Sequence, residues 1–132
     1  MTELIVAAAV IERDGRFLVT RRQAGVHLAG AWEFPGGKCN ANEPLRACLA
    51  REILEELAVD IDVGAEILQT SHRYDDRQVE LHFFRCGLRG EPTAALGQEM
   101  RWVPQGALLT LAFPPADAEL IRLLMANDRL TG

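Results

Sequence analysis

Cysteine is scarce, and Cys39, Cys48 and Cys86 are odd in number and show no paired spacing of the kind that builds a zinc site. They read as reduced thiols of a cytosolic protein. Basic residues are in deficit: 14 lysines and arginines stand against 19 aspartates and glutamates, for a net charge of −5. A nucleic-acid polymer or an anionic membrane would need a basic face to displace counterions, so neither is expected as the main partner. Long hydrophobic runs are missing as well. The stretch from Ile5 to Ile11 is too short to span a bilayer, and Glu3 stands where a secretion signal would carry positive charge. No repeat, low-complexity run or Pro/Gly/Ser linker divides the chain, so residues 1–132 are expected to form one domain acting in the cytoplasm. With 48% hydrophobic residues, that domain can bury a core without disulfides or a structural metal.

What is present reads as a mixture of strands and helices. Leu4 to Ile11 and Arg16 to Thr20 flank Arg13-Asp14-Gly15, which predicts a hairpin. Residues 23 to 31 read as loop. Trp32-Glu33-Phe34 is a short strand stopped by Pro35-Gly36-Gly37, and Pro44 to Leu57 is helical with proline in the first turn. Gly64 to Tyr74 and Arg77 to Cys86 form a second hairpin about Asp75-Asp76, and Met100 to Val103 is a further strand. Pro114-Pro115 opens a last helix, with Leu120, Ile121 and Leu124 facing the core. Without regular βαβ alternation, the class is α+β, an α/β/α sandwich around a mixed sheet.

The segment Arg51-Glu52-Ile53-Leu54-Glu55-Glu56 carries the chemistry. At helical spacing Glu52, Glu55 and Glu56 share one side, while Ala47, Leu49, Ala50, Ile53, Leu54 and Leu57 take the other. Grouped like charges repel, so a cation must compensate them: arginines on a solvated face, or a hard metal ion such as Mg²⁺. Gly36-Gly37-Lys38 lies just before the helix, a flexible turn whose carbonyls can reach a metal and whose lysine can meet a phosphate.

Gly37, Glu43, Arg51, Glu52, Ile53, Glu55, Glu56 and Val59 fall in the register of the Nudix box, with Ala58 where that pattern has glycine. The chain resembles the Nudix hydrolases, and WEFPGGK, Arg21-Arg22 and the late FPPAD are similar to MutT-like triphosphatases. The resemblance implies the Nudix fold and hydrolysis of a nucleoside triphosphate to monophosphate and pyrophosphate. It implies Mg²⁺, or Mn²⁺, held by Glu52, Glu55, Glu56 and a carbonyl of Gly36 or Gly37. The catalytic set becomes Glu52, Glu55, Glu56, Arg51, Lys38 and Glu99, with Arg51 and Glu43 bracing rather than reacting. A left-handed residue at the helix end would cost about 1 kcal/mol without glycine, which touches the stability of Ala58 rather than chemistry.

Substrate contacts follow from the same likeness. Arg21 and Arg22 would hold phosphate oxygens, or mark a solvated strand end. Asp117 stands where MutT-like enzymes read the base; its other reading is a first-turn acid favoured by the helix dipole. Phe34 is a stacking candidate or plain core, and Arg77 closes the pocket or sits at a turn. MutT-like enzymes often carry a glutamate before Gly-Gln, but this chain has Leu96-Gly97-Gln98-Glu99, so Glu99 either replaces it or is an exposed loop acid. His27, His72 and His82 lack ligand spacing. The leading substrate is 8-oxo-dGTP or a related modified nucleotide, and the alternative is CTP or a 5-substituted dCTP. A catalytically idle Nudix ligand-binding or regulatory module is the reading from another class. ADP-ribose and dinucleoside polyphosphates are disfavoured.

Overall fold

A computed structural model describes residues 2–25 and 28–126. Among them, β1 (Thr2–Arg13) and β2 (Arg16–Arg21) form the expected hairpin. Asp14 and Gly15 both have positive φ, 53° and 76°, the conformation that a tight two-residue hairpin loop requires. The remaining strands are β3 (Trp32–Glu33), β4 (Gly36–Lys38), β5 (Ile61–Tyr74), β6 (Arg77–Leu88) and β7 (Met100–Pro104). They make a mixed sheet ordered β3-β2-β1-β6-β5, in which β4 also pairs with β1 and β7 with β2. β1 runs parallel to β6 from Thr2↔Arg77 to Ile11↔Cys86. Its other edge is divided between β4, at Val6 to Ala8, and β2, at Glu12 and Arg13.

Because β1 is covered on both faces, it reads as a continuous apolar run rather than an alternating one. Ala7, Ala9 and Ile11 pack under helix α1 (Leu45–Leu57), whose Leu49, Ile53 and Leu57 are fully buried. Ala8 and Val10 face the opposite layer, where Leu120, Ile121 and Leu124 of α2 (Ala118–Ala126) and Leu108 of the 3-10 segment Gln105–Thr110 cover Phe17, Val19, Phe83 and Val103. Each fully buried aliphatic or phenyl side chain here contributes roughly 1.5–3 kcal/mol. The architecture is α+β, a mixed sheet between helical layers. No helix of the described residues is long and apolar enough to cross a membrane.

Four local expectations are corrected. Leu54 is 52% exposed, and Ala47 and Ala50 also reach solvent. The helix meets the sheet along the i, i+4 row Leu49-Ile53-Leu57, and the other three lie roughly 60–120° to one side of Ile53. Gly36-Gly37-Lys38 is a strand rather than a flexible turn, because β1 offers it a ladder. Gly36 serves close approach there: a Cβ would lie 2.0 Å from the Ala7 carbonyl oxygen. The last helix starts three residues late, after a 3-10 turn at Pro115–Asp117. Finally, Cys39 and Cys48 are joined as a disulfide and only Cys86 is unpaired among the described residues. The exit of β4 abuts the first turn of α1, bringing the two Cα atoms to 5.3 Å, within bridging range. Ala58 ends α1 in the left-handed region, φ 53° and ψ 40°, with its N–H on the Leu54 carbonyl.

Candidate active site

A cavity of about 560 Å³ opens on the face of the sheet turned away from α1. Its floor comes from alternate residues of the parallel pair, Val6 and Ala8 of β1 with Leu81 and Phe83 of β6. One wall is acidic and glycine-rich: Gly36, Gly37, Lys38, Arg51, Glu52 and Glu56. Glu52 and Glu56 reach it because they sit on the flank of α1 beside the buried row, next to β4.

Arg51 organises that wall. Its guanidinium donates to both oxygens of Glu43 at 2.9 Å, to Glu52 at 2.7 Å, to Glu55 at 3.2 Å and to the Lys38 carbonyl at 3.2 Å. Those bonds from Arg51, with the Asn40 N–H, hold the Glu43 carboxyl down to about 2, so Glu43 is a permanent anion. Arg51 is the brace the sequence suggested. Glu52 lies so close to Gly37 that a Cβ there would come within 1.8 Å of its carboxylate. Burial raises the Glu52 pKa, opposed by the Arg51 hydrogen bond. Burial also pushes Glu56 up to about 8, helped by repulsion from Glu33, Glu52 and Glu55 and opposed by the Gly36 N–H that it accepts at 3.2 Å.

This donor set fits a hard cation. It consists of carboxylates and nearby glycine carbonyls, all oxygen, and burial and mutual repulsion raise the proton affinity of Glu52 and Glu56, a cost of ionisation that a divalent ion would relieve. Among the described residues no three such groups converge as they stand; Arg51 occupies Glu52 and Glu55, and Glu55 is exposed outside the cavity lining.

The opposite wall is formed by Phe34, Tyr74, Arg77 and Asp117. Asp117 is 5% exposed, and its carboxylate has no hydrogen bond among the described residues. Burial and then repulsion from Glu33 push it up to about 7, against the pull of Arg22. Arg22 bonds Glu33 at 2.7 Å, so it belongs between the walls as an ion pair rather than as a bare phosphate clamp. Phe34 is buried, stacked on Phe113 at 5.5 Å and edge-on to Phe83 at 6.2 Å, so it is wall and core together. Arg77 lines the cavity while gripping Asp76. Arg21 lines it too, held by Glu99 at 2.9 Å and the Gly30 carbonyl at 3.0 Å.

Glu99 is the site residue the structure does not bring in. It is spent on Arg21 and Arg101 and lies off the cavity wall. Gln98 takes the inward position instead, donating to the Glu56 carbonyl at 2.9 Å and accepting from the Leu96 N–H. Glu33 is the other residue missed; burial raises its pKa, with Arg22 opposing. A charge enclosed by Trp32 and Phe34 was its signal. His72 packs on Tyr74, His82 is clasped by Glu66 and Glu80, and His27 lies outside the described residues.

The NUDIX domain family profile matches residues 6–123. The chain belongs to the Nudix family. It is 35% identical over 127 residues to the CTP pyrophosphohydrolase of Escherichia coli (strain K12), covering 96% of this chain and 94% of that one. The 8-oxo-dGTP diphosphatase of Haemophilus influenzae is 37% identical over 123 residues, covering 91% and 90%. Among solved structures, the E. coli ORF135 protein superposes with a TM-score of 0.84 at 33% identity, over 100% of this chain and 96% of that one. The protein is thus a Nudix hydrolase, and Nudix hydrolases generally use divalent metal ions.

Proposed function

We propose that this Nudix hydrolase cleaves a nucleoside triphosphate to the monophosphate and pyrophosphate, with 8-oxo-dGTP or a related modified nucleotide as substrate. One observation carries the reading. A single cavity joins an acidic wall to a buried carboxylate, Asp117, that no donor among the described residues hydrogen-bonds. Buried polar groups without partners are rare, and an unmatched carboxylate on a cavity wall is suited to the N–H donors of a base edge.

The acidic wall suits the triphosphate. Glu52, Glu56 and a carbonyl of Gly36 or Gly37 would hold Mg²⁺ or Mn²⁺, with Glu55 as the outer ligand. The ion would supply neutralisation of phosphate charge and acidify water. Arg51 keeps Glu52 oriented and fastens the Lys38 carbonyl, so the wall is fixed before substrate arrives. A glutamate of this wall not engaged by the ion would take the proton of the attacking water. Lys38 and Arg21 face the cavity from the side where the phosphates would lie.

A second reading, CTP or a 5-substituted dCTP, rests on the same carboxylate, since an ionised Asp117 can equally accept from the cytosine amino group. Both readings draw on relatives so named. Pyrophosphate release from 8-oxo-dGTP, dGTP, dCTP, CTP and 5-methyl-dCTP with Mg²⁺ tests the proposal. The highest kcat/KM should fall on one base class. No turnover on any of them would favour an idle binding module.

A further inference from the structure

We infer that Thr70 and Tyr74 of β5 are specificity-positioning residues, which fix the base-reading carboxylate of Asp117 by holding the peptide groups of Ala116. The inference rests on the proposed role of Asp117. The segment before Asp117 is Phe113-Pro114-Pro115-Ala116, and two consecutive prolines have no N–H to give. Ala116 is therefore the first residue after Phe113 whose backbone N–H an outside acceptor can hold. The Asp117 N–H is already used within the turn, on the Pro114 carbonyl at 3.0 Å.

Both polar groups of Ala116 are engaged from one strand. Its N–H donates to the Tyr74 hydroxyl at 3.4 Å, and its carbonyl accepts from the Thr70 hydroxyl at 3.5 Å. Thr70 and Tyr74 are four residues apart, so they share a face of β5. The strand is a firm platform, paired to β6 at Thr70↔Leu81 and Tyr74↔Arg77. A three-residue 3-10 turn is a weak element on its own. Here it is gripped on either side of Ala116, immediately before a carboxylate that is 5% exposed and must face the cavity. Tyr74 also lines that cavity, and the Asp117 charge raises the Tyr74 pKa after burial has done so. Both bonds are long, which sets the expected effect at severalfold rather than a hundredfold.

The test measures kcat/KM for 8-oxo-dGTP, dGTP, dCTP and 5-methyl-dCTP, and takes the ratio of best to worst substrate as selectivity. Tyr74→Phe keeps the ring and removes the hydroxyl; Thr70→Val keeps the shape and does the same, while Thr70→Ser restores it. Tyr74→Phe should lower selectivity about threefold to tenfold, Thr70→Val less, and Thr70→Ser should sit near wild type, with the loss concentrated on the best substrate. In an Asp117→Asn background, Tyr74→Phe should cause no further loss, because its effect passes through that carboxylate. An equal drop on all four substrates, or a full extra loss in the Asp117→Asn background, overturns the inference. If Asp117→Asn collapses selectivity and the hydroxyl variants leave it intact, positioning fails while base reading by Asp117 stands. If Asp117→Asn leaves selectivity unchanged, both fall together.

Discussion

Asp117→Asn probes the buried carboxylate through stability as well as turnover. In the unfolded chain this proton leaves near pH 3.8, whereas the fold keeps it to about 7, chiefly through burial and then through Glu33. Between those values the native state binds more protons than the unfolded state, so wild-type stability falls as pH rises through the window and levels off above it. Asparagine has nearly the same outline and does not ionise, so the variant lacks this slope. Holding the proton to about 7 corresponds to about 4 kcal/mol at full ionisation, of which about 2–3 kcal/mol develops between pH 5 and pH 9. Removing the charge also relieves Glu33, which acts in the same direction. Urea unfolding of both proteins, followed by the fluorescence of Trp32 and Trp102, measures the difference at the two pH values. The variant should gain about 2–3 kcal/mol on wild type from pH 5 to pH 9, while its kcat/KM for the preferred triphosphate drops roughly 10- to 200-fold. Parallel stability profiles would refute the argument, because a carboxylate that costs the fold nothing is not being held there against burial.

Glu56→Gln should remove most turnover and leave the melting transition intact, since it takes away a charge the fold resists; wild-type rates at limiting Mg²⁺ would exclude Glu56 as a metal ligand. Glu99→Gln should change turnover by no more than about fivefold, the scale of one exposed ion pair with Arg21, and a larger loss would return Glu99 to the catalytic set. Ala58→Gly should raise stability by about 1 kcal/mol in chemical denaturation with unchanged kcat, because Ala58 sits at φ 53°. For His82, burial opposes the charge, but Glu66 and Glu80, each 2.6 Å from one ring nitrogen, outweigh it and raise the pKa. That contribution is present below about pH 6.5 and is lost as pH rises through the raised value, so His82→Gln should flatten the stability profile on the alkaline side of that point.

Local chemistry was legible in the sequence, and partnership between distant segments was not. Asp14-Gly15 and Pro44 each act within a few residues and appear where the sequence put them, and the helix spacing brings Glu52 and Glu56, though not Glu55, to the cavity wall. The left-handed Ala58 was foreseen from one missing glycine. By contrast, nothing in Gly36-Gly37-Lys38 announces a strand, because its ladder is supplied by β1, about thirty positions earlier. Cys39 and Cys48 have a spacing common to no motif, and their approach depends on how β4 delivers the chain to α1. Glu33 occupies a two-residue strand, too short for alternation to reveal which face it takes. The same limit displaced Glu99: its neighbour Gln98 is turned inward by hydrogen bonds to Glu56 and Leu96, and adjacent residues there look in different directions.

The parallel union of β1 and β6 also sets a timetable for the nascent chain. Thr2 waits for Arg77 and Ile11 for Cys86, so each rung of that ladder joins residues 75 positions apart. Contacts this remote slow folding, because a long loop must close before any of them forms. As the polypeptide leaves the ribosome, the β1–β2 hairpin can close early, and β4 and α1 can dock on one edge and one face of β1. The second edge of the most apolar strand stays unpaired until residue 86 has emerged. An uncovered edge carrying the run from Leu4 to Ile11 is open to pairing with another chain, so that interval of synthesis exposes the protein to aggregation.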